Sequence, residues 1–497
     1  MITDELRELF APTDFNIVCT ILGGFLIVFG LISYFAKEHL FLSETSIAFA
    51  AGIALGPYGA NLIRPLDYAS GSESRLDDVT LSFCRLVLGV QLVLAGVQLP
   101  KQYLGKSWRS LAVLLGPVMV VEWVVTAGLI WTVLPGVDSV FALAIAACVA
   151  PTDPILVNHI VKGKFADTHI PVTLQNIIIA ESGANDGLGY PFLFIALFTL
   201  RHRFTDYGGD VLRHWMSETV VYVVLMSVLY GAIVGLVARK LLQGAKKRGL
   251  VDQESFLVYA IAMALFIIGT CGMVGSDDVL ACFIAGNIFT LDDWFRLATL
   301  DDSLQPTIDR LLNLTIFLYF GSICPFHIIT TLHILLAILI ILLRRPPIVL
   351  ALYRTIPDIA DIREALIAGY FGPIGVSAIF YLLLACEFLI KISTRPEVDE
   401  AYITPMVAQV RATVWACVLG SVVVHGFTIP VIMWGNRLPG MRHVGNLVVL
   451  PKWVSRVIGG RERETVFEQA ERLFREGEER GYEGEVWGRL ARAYGTV

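Results

Sequence analysis

The sequence predicts an all-α polytopic membrane protein of about thirteen transmembrane helices arranged as inverted repeats with two crossing broken helices, and three observations carry that prediction. The first is composition: 56% of the 497 residues are hydrophobic and 16% charged, with a mean hydropathy of +0.68, whereas soluble domains carry roughly 25% charged residues. The second is length, because apolar runs of about 20 residues, enough to cross ~30 Å of hydrocarbon, recur from near residue 15 to near residue 434. The third is that one run in each half of the chain is interrupted by Pro and Gly. Interrupted spans at corresponding positions point to a repeat architecture whose site lies where they cross.

The runs fall at about 15–35, 45–63, 79–99, 108–134, 139–161, 171–200, 217–242, 255–273, 277–291, 310–326, 328–353, 364–391 and 406–434. An odd number puts the two ends of the chain on opposite sides, and positively charged loops mark the cytoplasmic one. Counted from an outside N-terminus, the inside loops hold Lys101, Lys106 and Arg109, then Lys162 and Lys164, then Arg239, Lys240, Lys246, Lys247 and Arg248. On these boundaries the loops do not all alternate, and Arg201, Arg203 and Arg213 argue the other way.

Residues 1–14 form an acidic N-terminal segment without the basic region and small-residue cleavage site of a signal peptide. Residues 15–434 form the membrane domain, and 435–497 a cytoplasmic tail. In that tail Val466, Phe467, Ala470, Leu473 and Phe474 recur at helical spacing among charges, which predicts a short amphipathic helix.

A net charge of -6 and no basic arm exclude nucleic acid as a partner. Eight cysteines are scattered without metal-site or disulfide spacing and read as small core residues. No P-loop and no triad of nucleophile, base and orienting group is present. The reading is therefore not an enzyme, with no cofactor expected.

The chemistry lies in polar residues set inside apolar spans, where an ionisable side chain near the bilayer centre costs at least ~2.5 kcal/mol. They concentrate in ALAIAACVAPTDPILVNHI and NIIIAESGANDGLGYPFLF. Pro151 and Pro154 flank Thr152 and Asp153, so the helix breaks there, freeing carbonyls that can coordinate a cation. Asp153 is placed to satisfy the exposed N–H groups of the opposite half-helix. Glu181, Ser182, Asn185 and Asp186 share one helical face. Ser182 and Asn185 also suit interhelical hydrogen bonding, whereas a lone carboxylate such as Asp186 needs a functional reason.

The matching irregularity is AGYFGPIGVSAIF, broken by Gly372, Pro373 and Gly375. Before it, Arg344 and Arg345 interrupt an apolar run; one of them is a partner for Glu181, and the other is as well suited to snorkelling toward the cytoplasmic surface. Asp277 and Asp278 open a span near its end, where they would attract cations to an entrance or be solvated at the interface. Glu122 stands isolated in VMVVEWVVTAG, and Asn287 and His425 read as packing residues.

The segments APTDPIL, VKGKFADTHI and AESGANDGLGYPFLF, with FLSETSIAFAAGIALGPYGANL and GVQLVLAGVQLPKQYL before them, closely resemble the fungal plasma-membrane sodium/proton antiporters of the monovalent cation:proton antiporter superfamily, from about residue 12 to about residue 450. The resemblance implies the sodium/proton antiporter fold in a homodimer. A core of about 108–200 and 328–434 would move against dimerisation helices of about 15–99 and 217–326. It implies Asp186 as the carboxylate that binds the transported Na+ or a proton, with Thr152, Asp153, Ser182 and Asn185 around it. It further implies a structural pair of Glu181 with Arg345, and a cation pathway past Asp277 and Asp278. The expected partners are Na+, Li+ and H+, with K+ left open, in the plasma membrane, for salt tolerance and cation and pH homeostasis with the C-terminus cytoplasmic.

Oxygen ligands suit a hard cation, and a proton competes for the same carboxylate, which is sufficient for exchange without ATP. Asn185 beside Asp186, in place of a second carboxylate, favours a 1:1 cycle, with Asp153 and Asp277 as candidates for a second proton. The alternative is an ion-coupled symporter of a small solute, which calls for a basic residue at the site instead of a carboxylate. A cation channel would not require proton counterflow.

Overall fold

A computed structural model describes residues 13–435 apart from 41, 155, 158–169, 205–209, 300–301, 396–397 and 399. The tail, its amphipathic segment, Lys162 and Lys164 lie outside the described residues. Every long element among the described residues is a helix, and short polar side chains open many of them. Thr13, Ser72, Asp138, Asp252, Asp277 and Asp361 each accept a backbone N–H of the first turn that would otherwise be unpaired.

In chain order the main helices are α1 (Asp14–Glu38), α2 (Glu44–Leu55), α3 (Glu73–Gln98), α4 (Trp108–Val133), α5 (Ser139–Val149), α6 (Val172–Phe204) and α7 (Val211–Lys247). Then follow α8 (Gln253–Val274), α9 (Asp278–Phe289), α10 (Leu304–Ile323), α11 (Thr331–Leu343), α12 (Ile362–Tyr370), α13 (Val376–Ser393) and α14 (Glu400–Gly435). Among the described residues eight helical stretches are long and apolar enough to cross a membrane, and α2, α5 and α9 are shorter apolar helices. With α6 and α10 these account for the thirteen expected spans, α12 being the first half of the span that α13 completes. The second span ends earlier than its apolar run, at Leu55, because Gly56, Pro57 and Gly59 follow.

One group of helices is built around α9. The backbone of α3 at Gly89 and Gly96 faces Cys282 and Asn287, and α7 at Gly231 and Gly235 lies against Ala281 and Ala285. Both contacts advance in the same direction, so α3, α7 and α9 run parallel. Beside them α2 and α10 pack along their length, tied by Arg310 to Glu44 at 2.8 Å. The second group is α4, α5, α6 and α11–α14, in which α5 packs on α4, α6 and α13, and α14 on α11 and α13. The helix α1 is hardly covered by the rest of the chain and exposes Cys19; the other seven cysteines are buried, as expected of core residues.

Parallel α3 and α7 deliver Lys101, Lys106 and Arg109 to the same end as Lys246, Lys247 and Arg248. The start of α3 is tied to α14 by Asp77 and Arg411, and Asp138, Arg203 and Tyr402 meet at that opposite end. The basic loops of the described residues therefore do alternate with the helices, as the run boundaries themselves require, since Lys101, Lys106 and Arg109 follow the third run and Lys246, Lys247 and Arg248 the seventh. Arg203, which argued the other way, is paired with Asp138 at 2.9 Å.

Candidate functional site

Two interrupted helices meet in the middle of the second group. The helix α5 stops at Val149, before Pro151 and Pro154, and the other span is extended from Phe371 to Gly375 between α12 and α13. The strands of chain between the half-helices touch: the Asp153 N–H donates to the Pro373 carbonyl at 2.9 Å. The Asp153 carboxylate in turn accepts the N–H of Val376, the first residue of α13, and the N–H of Leu156 at 3.4 Å. Its negative charge sits at the positive N-terminus of a half-helix, as its sequence position had predicted. Gly375 is obligatory for this approach, since a Cβ there would overlap the Asp153 carboxylate.

The opposite ends of the half-helices need a positive charge, and Arg344 supplies it. Its guanidinium donates to the Val149 carbonyl at the end of α5 and to the Gly372 carbonyl after α12, the latter at 2.7 Å. Arg345 forms a two-pronged pair with Glu181, 2.6 Å on each prong, while also donating to Glu122 at 3.1 Å and to the Ala368 carbonyl at 2.9 Å. All four side chains, Glu122, Glu181, Arg344 and Arg345, are buried. Neither arginine snorkels. Glu122 is not isolated either: it bridges the two arginines, lying 4.0 Å from Arg344 Nε. The same rule that singled out Glu181, a carboxylate inside an apolar span, applied to Glu122 as well.

Five residues along α6, Asp186 is different. It is fully buried and neither carboxylate oxygen has a hydrogen-bond partner. The charges that act on it belong to two further carboxylates, Asp153 and Asp277, and the Ser377 hydroxyl lies beside it, itself without a hydrogen bond. Behind it, Asn185 accepts the Thr152 N–H at 3.1 Å and donates to the Thr152 hydroxyl at 2.8 Å, and that hydroxyl lies 3.0 Å from Ser182 Oγ. Thr152, Ser182 and Asn185 therefore lock the first break onto α6. Tyr381 on α13 adds a lock from the other side, donating to the Asp186 carbonyl at 2.5 Å. Tyr381 sits among apolar neighbours in the sequence and carries no signal separating it from a core aromatic.

Asp277 and Asp278 are both buried at the start of α9, so neither is a solvated surface carboxylate. Asp278 is neutralised by Arg85 of α3 at 2.6 Å. Asp277 caps α9 through Leu280, leaving its second oxygen unpartnered, and its own N–H bonds Ser227 of α7. A cavity of about 540 Å3 lined by Tyr190, Glu218, Tyr222, Gly275 and Ser276 adjoins this corner. A second cavity, about 500 Å3, lies between α3 and α13–α14, with Asp77, Thr80, Ile379, Leu383, Arg411 and Trp415 in its wall. Asn287 bonds the Phe283 carbonyl, and His425 the Tyr370 carbonyl, as packing residues do.

Residues 24–435 match the family described as "Sodium/hydrogen exchanger, transmembrane". A probable Na(+)/H(+) antiporter of Schizosaccharomyces pombe is 38% identical over 443 residues, covering 85% of this chain and 56% of that protein. Na(+)/H(+) antiporter 2 of Zygosaccharomyces rouxii is 36% identical over 441 residues, covering 86% of this chain and 54% of its own length. The chain thus spans about half the length of these relatives. Among solved structures, the sodium proton antiporter of Methanocaldococcus jannaschii shares the fold with a TM-score of 0.61 at 17% identity, over 88% of this chain and 99% of that one.

Proposed function

Since the chain belongs to the sodium/hydrogen exchanger family, we propose that it is a secondary active antiporter exchanging cytoplasmic Na+ and Li+, with K+ as a further candidate, for external H+ across the fungal plasma membrane. Its role is salt tolerance and cation and pH homeostasis. The observation that carries this reading is the unpartnered, fully buried Asp186 carboxylate beside two crossed helix breaks. A carboxylate taken out of water without a partner is costly, and a bound proton or a bound cation each removes that cost. Both cannot be held at once, so occupancy by one excludes the other.

The oxygens available to a dehydrated Na+ are those of Asp186, Thr152, Ser182 and Ser377, a donor set of hard ligands. Asp153 serves chiefly to hold α13 in place. The pair of Glu181 and Arg345, with Glu122 and Arg344, is a structural lock whose charges balance, so it adds no ion to the cycle. With Asn185 committed to Thr152, one exchangeable carboxylate favours 1:1 electroneutral exchange, in which each pH unit supplies ~1.4 kcal/mol, a tenfold sodium gradient. A solute symporter is disfavoured, because Arg344 and Arg345 are both engaged by carboxylates and carbonyls.

The group α4–α6 and α11–α14 would be the moving core, and α1–α3 with α7–α10 the stationary scaffold. The uncovered α1 suits a face turned to lipid or to the second copy of a homodimer. The end bearing Lys101, Lys246 and Lys247 would be cytoplasmic, which puts the C-terminal tail there. In the cation pathway, Asp277 is the member with a free oxygen, and Asp278 the member held by Arg85.

The test is cation-induced dissipation of an imposed pH gradient in proteoliposomes. Native protein is expected to respond to Na+ and Li+, and Asp186→Asn to neither. An unchanged response in Asp186→Asn would remove that residue from the mechanism, and silence of folded native protein with every alkali cation would sink the antiporter reading.

A further inference from the structure

The scaffold helix α3 carries polar side chains spaced by seven residues, among them Asp77, Cys84 and Gln91. Seven residues advance ~10 Å along a helix and return to within about 20° of the same direction, so the three form one stripe. One of them is fixed to the second helix group and another faces it. Asp77 pairs with Arg411 of α14 through two hydrogen bonds, 2.8 and 2.7 Å, and Cys84 lies within electrostatic reach of Asp153 at the first break. The opposite stripe of α3, with Arg85, Gly89 and Gly96, is occupied by α9 and its neighbours. Gln91 continues the first stripe past the crossing, toward the end where Lys101 and Lys106 emerge.

Gln91 is buried at 4% exposure, and neither its amide oxygen nor its amide nitrogen has a hydrogen-bond partner. An amide can make four hydrogen bonds, and burying one with none of them made carries an uncompensated desolvation penalty. A packing role would be filled better by Leu, whose volume is similar and which has no polar atoms to desolvate. The buried orphans of the described residues include the Asp186 carboxylate, the Ser377 hydroxyl and the Gln91 amide, and α3 packs against both α6, which carries Asp186, and α13, which carries Ser377.

We propose that Gln91 lines the route of the cation between Asp186 and the basic-loop end, lending its amide oxygen to the partly dehydrated ion and so setting which alkali cation is admitted. The inference rests on the antiporter reading. An amide oxygen is a hard, neutral ligand: it replaces a water of hydration without trapping the ion as a second carboxylate would. On the stationary wall it also meets the ion at a fixed position while Asp186 moves past it.

The experiment compares native protein with Gln91→Leu and Gln91→Asn in proteoliposomes, measuring KM and kcat for Na+, Li+ and K+, with melting temperature followed in parallel with and without Na+. Gln91→Leu should raise the KM for Na+ about five- to tenfold, the scale of one lost polar contact, with kcat within about twofold. It should also change the Na+ to Li+ preference and shrink the Na+-induced rise in melting temperature, while the melting temperature without Na+ holds or increases. Gln91→Asn should fall between native and Leu. Native KM values and ion preference in folded Gln91→Leu would overturn the proposal, as would a loss of kcat that tracks a fall in melting temperature at unchanged KM. Failure of the antiporter reading is distinguishable, because native protein would then move no protons with any cation.

Discussion

Glu181 and Asp186 lie five residues apart on one helix, equally hidden from solvent, yet their surroundings differ in every respect that matters to a charge. Glu181 is gripped by both prongs of Arg345, and the quartet it belongs to contains two carboxylates and two guanidiniums. Asp186 meets no cation: beside it lie the neutral Ser377 hydroxyl and, farther off, the carboxylates of Asp153 and Asp277. A satisfied buried charge has nothing to gain from an ion. An unsatisfied one has everything to gain, and the difference separates the part that holds the crossing together from the part that works.

That contrast breaks first under substitution at Asp186. Asp186→Asn should reduce exchange by more than about 100-fold, since neutral Asn keeps an oxygen but cannot exchange a proton for a cation, while its melting temperature stays at or above native. Glu181→Ala or Arg345→Ala should instead cost about 3–5 kcal/mol of stability, because each leaves the buried quartet with one charge uncompensated. The double variant should be less destabilised than the sum of the two, a coupling that a thermal-unfolding cycle would detect. If Asp186→Asn unfolded the protein and Glu181→Ala merely slowed it, the assignment of the two residues would be reversed.

The third effect is on pH. Protons and Na+ compete for one carboxylate, so raising the pH empties Asp186 of protons and should lower the apparent KM for Na+, by up to about tenfold per pH unit. A KM independent of pH, read from initial rates across a pH series, would mean that the two ions use different groups. The smallest effect is expected at Asp77 and Arg411, each about a quarter exposed. Either charge reversal alone should cost about 1 kcal/mol or less. The exchanged pair Asp77→Arg with Arg411→Asp should recover most of the melting temperature and rate lost in either single reversal.

Much of this was legible in the sequence because the bilayer makes polar residues conspicuous. Two prolines around Thr152 and Asp153 foretold the break, and the capping of α13 by Asp153 followed from the need to satisfy freed N–H groups. The pair of Glu181 with an arginine was anticipated as well. Glu122 was misjudged because one-dimensional spacing says nothing of which helices touch: its partners are more than 200 residues away. The roles of Arg344 and Tyr381 were hidden for the same reason. Each depends on a contact between helices far apart in the chain, and Tyr381 looks like any core aromatic until its hydroxyl meets the carbonyl of Asp186. The second span was overextended because apolar composition continues past Leu55, where Gly and Pro end the helix.

The measurement that bears most directly on the account is the number of protons released when Na+ binds to the purified protein, obtained calorimetrically in two buffers of different ionisation enthalpy at a pH where Asp186 is protonated. The account predicts close to one proton released per Na+ bound in the native protein, and neither binding nor release in Asp186→Asn. Na+ binding without proton release, or release that persists in Asp186→Asn, would contradict the claim that a single unpartnered carboxylate holds either ion in turn.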